Sequence, residues 1–149
     1  DLNVALGTDG AASNNDLNMF GEVATAALVA KGVSADPTAL SAYQALRLAT
    51  INGAKALGIE EEVGSLEVGK AADFIAVDLS ALTHQPVYDP LSHLVYTGNG
   101  NNVSHVWVNG ELLVEQGKLR SFDQTGLMEK VEKWRIKISA AENQQVLKF

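Results

Sequence analysis

The run Val4-Ala5-Leu6 stops at Gly7-Thr8-Asp9-Gly10, and this short stretch constrains the fold more than anything after it. A continuous apolar run fits a strand covered on both faces, as in a parallel sheet, better than a half-exposed strand, which would alternate. A carboxylate at the carboxyl end of such a strand, followed by small and polar residues and then a helix, stands where (β/α) barrels carry their chemistry. Asp9 gains weight because the chain offers little else. It has no cysteine, and its three histidines, His84, His93 and His105, show no paired ligand spacing. Disulfides and thiolate metal sites are therefore excluded.

Three regions follow along the chain. Residues 1–59 read as strand, loop and helices. Ser13 and Asp16 have the Ser-x-x-acid spacing that predicts a helix start, with Phe20, Ala24, Ala27 and Leu28 at helical period and Gly32 as its end. Asp36-Pro37 predicts a second helix, with Asp36 as N-cap and Pro37 at its first position, running through Leu40, Tyr43, Leu46 and Ala54 to Gly58. Residues 60–124 change character and read as β. Val63 to Lys70 alternates turn residues with short apolar pairs, and Asp73 to Asp78 is an apolar core bounded by acids. Asn109-Gly110 between two apolar segments predicts a hairpin with a type I′ turn, which needs positive φ at both central residues. Bulky residues on both faces of Val103 to Val108 predict a strand covered on both sides. Residues 125–149 read as a terminal helix from about Thr125 to Ala141, with Leu127, Val131, Trp134 and Ile138 in one apolar stripe.

Composition excludes several function classes. At 149 residues, 46% hydrophobic and 19% charged, the chain has the make-up of a folded globular protein, with room for one domain or parts of two. Its net charge of -7, without a Lys or Arg cluster, argues against nucleic-acid binding, which rests on basic patches. No apolar run approaches the ~20 residues of a membrane span. The chain begins at Asp1, almost directly in a strand, with no signal-like segment. The expectation is a carboxyl-terminal piece of a larger cytoplasmic protein.

Four motifs, in order, resemble the amidohydrolase superfamily in its purine-deaminase and triazine-hydrolase branch. They are Gly7-Thr8-Asp9-Gly10-Ala11-Ala12-Ser13-Asn14-Asn15 with Leu17, Met19 and Phe20; Ala49-Thr50-Ile51-Asn52-Gly53-Ala54-Lys55-Ala56-Leu57-Gly58; Gly64 to Phe74; and Asp89-Pro90-Leu91-Ser92-His93-Leu94-Val95-Tyr96 with Val106 to Gly110. The second and third are shared widely in the superfamily. The first is more selective, because Ser-Asn-Asn after the acid is not general.

The resemblance implies an α/β plus β fold, the carboxyl-terminal part of a metal-dependent (β/α)8 TIM-barrel hydrolase with part of a small composite β-sandwich. Residues 1–59 would supply the last barrel strand and closing helices, 60–124 the later sandwich strands, and 125–149 the terminal helix and tail. The implied reaction is hydrolytic deamination of an adenine nucleoside, 5′-methylthioadenosine or S-adenosylhomocysteine, by hydroxide made at one divalent metal, zinc or iron. Asp9 would be both metal ligand and catalytic proton acceptor, and Ser13 and Asn14 would line the substrate side. The remaining metal ligands would lie upstream, so the chain alone should be inactive.

Plainer readings stand beside these. Asp9-Gly10 is also a common turn, and Ser13 is also a helix cap. His105, on the face of Val103 and Trp107, suits packing. Adjacent Ser92 and His93 do not suit triad geometry. The alternatives are a triazine chlorohydrolase, a guanine or cytosine deaminase, or a non-catalytic scaffold. A barrel cut open exposes strand edges and apolar faces, so association with the missing part or with further copies is expected.

Overall fold

The computed structural model describes residues 2–121 and 123–146. Its helices are α1 (Met19–Ser34), α2 (Ala42–Leu48), α3 (Ile51–Leu57), α4 (Pro90–Tyr96) and α5 (Gln124–Val146). Its strands are β1 (Phe74–Val77), β2 (Val103–Val108), β3 (Glu111–Glu115) and β4 (Lys118–Leu119). Two compact units result, Asp1–Lys118 and Leu119–Phe149.

The helical layer starts later than the Ser-x-x-acid spacing predicts. Asn18 caps α1, its side-chain oxygen accepting from the Gly21 N–H at 3.2 Å. Ser13 lies in a turn instead, where the N–H groups of Ser13 and Asn14 both donate to the Gly10 carbonyl at 2.9 Å. Asp36 likewise makes a turn, accepting from both the Thr38 N–H and hydroxyl. Short polar side chains that bond nearby backbone compete with helix formation, and here they delay it to Ala42. A Ser41–Gln44 capping box then opens α2. The single helix expected as far as Gly58 breaks at Ala49-Thr50 into α2 and α3, and Gly58 ends α3 in the left-handed conformation, φ 72°. The buried residues are small: Val23, Ala27, Ala45 and Val95, with Leu6, Leu40, Ala42, Leu46 and Ala49 packed against them. Alanines at the contact let α1, α2 and α4 approach closely. Thus α4, inside the region read as β, belongs to the helical layer.

The Val4-Ala5-Leu6 segment has no regular secondary structure and joins no ladder among the described residues, contrary to the buried parallel strand expected of it. A parallel strand needs neighbours on its edges, and the described residues provide none. Two amides hold it instead. Asn52 donates to the Val4 carbonyl at 3.1 Å, and Asn3 donates to the Asn52 carbonyl at 3.0 Å. The Leu6 N–H donates to the Leu48 carbonyl at 3.0 Å.

The sheet has the order β1-β2-β3-β4, and the β1–β2 and β2–β3 pairs are antiparallel. The hairpin turn is as predicted, with φ of 50° at Asn109 and 77° at Gly110. Two expectations fail here. Val63 to Lys70 forms turns, not strands, tied together by the Lys70 ammonium, which donates to the Glu60 carbonyl and the Ser65 hydroxyl. The faces of β2 are half-buried from Val103 to Trp107 and exposed at Val108, rather than covered on both sides. In the second unit, α5 carries its predicted stripe, with Leu127, Val131, Trp134 and Ile138 all exposed.

Candidate active site

The Val4–Asp9 segment ends with Asp9 in an exposed position. The residue has φ 58°, the left-handed region, although it is not glycine. Asp tolerates this better than most residues, because its short side chain can bond locally. Asp9 does so: its Oδ1 accepts from the Gly10 N–H at 2.7 Å. The Thr8 hydroxyl donates to the Asp9 carbonyl at 3.1 Å. One carboxylate oxygen is thereby oriented. Among the described residues, no hydrogen bond engages Oδ2.

Ser13 and Asn14 share the loop with Asp9 through their common bond to the Gly10 carbonyl. Ser13 is exposed and Asn14 half-buried. The Asn14 amide is engaged, its Nδ2 donating to Glu22 Oε1 in the first turn of α1 at 2.8 Å. Beyond the loop, Leu17, Asn18, Met19 and Phe20 face Asn99, Gly100 and Asn101 across an open groove of about 540 Å³. This groove lies next to the loop and does not include Asp9.

Two residues of this site escape a reading of the sequence. Glu22 is eight residues from Asn14, but Asn14 lies in an irregular loop and Glu22 in α1, so no single helical or strand period relates the pair. Asn52 gives a faint signal, since asparagine is a poor helix-interior residue without a specific bond to make.

The histidines take structural places. His105 stacks on Trp107 at 5.5 Å, and its Nδ1 lies 3.0 Å from the Ser104 hydroxyl. His93 Nδ1 lies 3.1 Å from the Asp89 carbonyl. Ser92 donates to Asp89 Oδ2 at 2.6 Å and so is not paired with His93. His84 is buried, with Asn102 Nδ2 at 3.0 Å from its Nε2.

A family model described as "Amidohydrolase family" matches residues 1–113, three-quarters of the chain and all of the geometry around Asp9. The chain belongs to the amidohydrolase family. Among amidohydrolase relatives, a 5-methylthioadenosine/S-adenosylhomocysteine deaminase of Teredinibacter turnerae is 52% identical over 139 residues. The match takes in 93% of this chain and 31% of that protein, so the chain spans about a third of the relative's length. A zinc-bound adenosine deaminase from Xanthomonas campestris superposes with a TM-score of 0.90 at 47% identity, over 93% of this chain and 32% of that one. An atrazine chlorohydrolase from Arthrobacter aurescens, complexed with zinc, gives a TM-score of 0.75 at 33% identity, over 89% of this chain and 29% of that one.

Zinc in two of these structures raises the question of what this amidohydrolase chain could hold. The donor set fits a single ligand. Asp9 offers a carboxylate oxygen with no intramolecular partner among the described residues, and no group of three His, Cys, Asp or Glu converges among them. A catalytic zinc takes about three protein ligands plus water, a set that the described residues do not bring together.

Proposed function

We propose that this chain is the carboxyl-terminal part of a metal-dependent aminohydrolase that deaminates an adenine nucleoside, 5′-methylthioadenosine or S-adenosylhomocysteine. The observation that carries the reading is the presentation of Asp9: one carboxylate oxygen is held by the Gly10 N–H and the other is open, at the end of an anchored segment inside the family match. The greater likeness to the two deaminases than to the triazine hydrolase supports this branch.

In this reading residues 1–59 complete a (β/α)8 barrel with closing helices, which α4 joins; the rest of residues 60–124 would contribute to a β-sandwich shared with the amino-terminal part, and residues 125–149 would be the terminal helix and tail. Among the described residues β1 pairs on one edge only, which supports a shared sandwich, since native proteins commonly cover or otherwise blunt an open sheet edge. A divalent metal, zinc or iron, would lower the pKa of its bound water to about 7. Asp9 would be a ligand and would hold the proton of the attacking water at Oδ2, with Oδ1 kept in place by the Gly10 N–H. Proton acceptance by a positioned carboxylate contributes about 10²–10⁴-fold. Ser13, and Asn14 through its Oδ1, would line the substrate side. The partners are the nucleoside and the remainder of the protein, with self-association of the whole molecule, in the cytoplasm. Among the described residues no helix is long and apolar enough to cross a membrane. The isolated chain should be inactive.

The test uses the complete reading frame that carries this chain, purified with divalent metal. The expected result is the ultraviolet change from adenine to hypoxanthine with 5′-methylthioadenosine or S-adenosylhomocysteine, reduced at least about 10³-fold in Asp9→Ala. Dechlorination of a triazine in place of deamination would move the protein to the sister branch. A folded protein that binds no metal and turns over neither substrate would be a scaffold.

A further inference from the structure

Eight residues, Gly10 to Leu17, separate Asp9 from the Asn18 cap of α1, and they contain neither helix nor strand. Asp9 itself holds a left-handed φ of 58°. Its own Oδ1 bond to the Gly10 N–H favours that conformation, and the segments on either side fix where the residue sits. Upstream the restraint is plain: Asn52 on the Val4 carbonyl and Leu48 on the Leu6 N–H. Downstream the turn closes on the Gly10 carbonyl through Ser13 and Asn14, and one side-chain bond then joins that turn to the body of α1, from Asn14 Nδ2 to Glu22 Oε1 at 2.8 Å.

Glu22 is well placed to act as an anchor. It lies in the first turn of α1, where the helix macrodipole favours a carboxylate. Its neighbour Val23 is in the buried core, so the backbone that carries Glu22 is fixed. A bond to an ionised acceptor is roughly twice as strong as a neutral one. Asn14 is half-buried rather than freely solvated, which reduces competition from water.

We infer that Glu22 is a positioning residue for the Asp9 loop, acting through the Asn14 amide rather than by touching substrate or metal. This rests on Asp9 having the role proposed above. A misplacement of about 1 Å at a reacting group can cost about 10²-fold in rate. Glu22→Ala in the complete, metal-loaded protein should therefore lower kcat by about 10- to 100-fold and leave KM within about twofold. Glu22→Gln retains an acceptor oxygen and should recover to within about threefold of wild type. Asn14→Ala combined with Glu22→Ala should be no slower than the slower single variant, as expected of two groups in one contact.

Backbone amide exchange over residues 10–15, read by mass spectrometry, gives an outcome independent of turnover. It should accelerate in Glu22→Ala and stay near wild type in Glu22→Gln, while exchange in α1 changes little. If Glu22→Ala does not fold, Asn14→Asp, which sets two carboxylates together, should give the same local acceleration. Unchanged exchange over residues 10–15 in Glu22→Ala or Asn14→Asp would overturn the latch. So would equal kcat losses in the Gln and Ala variants. If the wild-type protein deaminates no nucleoside yet the exchange pattern appears, the functional reading fails and the latch stands.

Discussion

The β2–β3 hairpin and the Val4–Asp9 segment are both short apolar runs that end at a small polar turn, yet only the hairpin forms a ladder. The hairpin carries its partner within a few residues, and Asn109-Gly110 supplies the two positive φ values that bring the strands together. The Val4–Asp9 segment has no such neighbour among the described residues, and two amides and one backbone bond take the place of a ladder. A strand that pairs locally can satisfy its own backbone. One that would pair at long range depends on whatever the rest of the fold brings to its edge.

The largest expected difference between the two comes from the core on which only one of them leans. Leu6 packs against the cluster of Val23, Ala27, Ala45 and Val95, and Val95 is wholly buried. Val95→Ala should cost about 2–3 kcal/mol, the transfer loss plus a residual cavity. Urea unfolding measures this, and amide exchange should show the Leu6 region loosened with the hairpin near wild type. Equal loosening of both would break the comparison. Asn52→Ala removes the bond to the Val4 carbonyl and should cost about 1–2 kcal/mol. Its sharper effect is on turnover of the complete protein, where kcat should fall as the segment ending in Asp9 loses its tether. An unchanged kcat would mean that the Leu48 bond, the Asn3 bond to the backbone carbonyl of residue 52 and the packing of Leu6 hold the segment without the Asn52 amide. Gly110→Ala is the matching test of the hairpin. At φ 77° an added Cβ costs about 1–2 kcal/mol, and the effect should appear in stability with kcat untouched.

The same contrast explains what could be read from the residues alone. The hairpin, the Gly58 stop and the α5 stripe were legible because each is written in neighbouring residues, as turn chemistry or helical period. The start of α1 was not. Ser13 matches a cap by spacing, but it is drawn into a turn on Gly10, and Asn18 takes the cap instead. The break between α2 and α3 was hidden because alanines and leucines keep the helical period straight through Ala49-Thr50. Asp9 was legible as a candidate because a carboxylate after an apolar run is a local pattern. The Asn14–Glu22 and Asn52–Val4 bonds were not, because each joins an irregular segment to a helix, and no period runs from one to the other. A complete metal site could not be read because the described residues do not bring three possible ligands together.

The smallest expected effect concerns acid. Asp89 caps α4, the helix that carries Val95, and its carboxylate accepts from the Ser92 hydroxyl and the Leu91 N–H. These bonds, the Ser92 hydroxyl foremost, hold its carboxyl below the usual range, with a further contribution from His93. A carboxylate with a lowered folded-state pKa stabilises fully above its ordinary value of about 3.9, and that contribution is lost as pH falls through and below it. The cap should therefore weaken below about pH 4, not near neutrality. Asp89→Asn keeps an oxygen for the Leu91 N–H but cannot titrate. At pH 7 its urea midpoint should lie slightly below wild type, and between pH 4 and pH 2 the two should converge. The group is exposed, so the convergence should be modest and should shrink further in high salt. Because Leu6 leans on the layer that α4 completes, acid should release the Val4–Asp9 segment before it opens the hairpin. Identical acid limbs in Asp89→Asn and wild type would show that the Asp89 cap contributes nothing to that order.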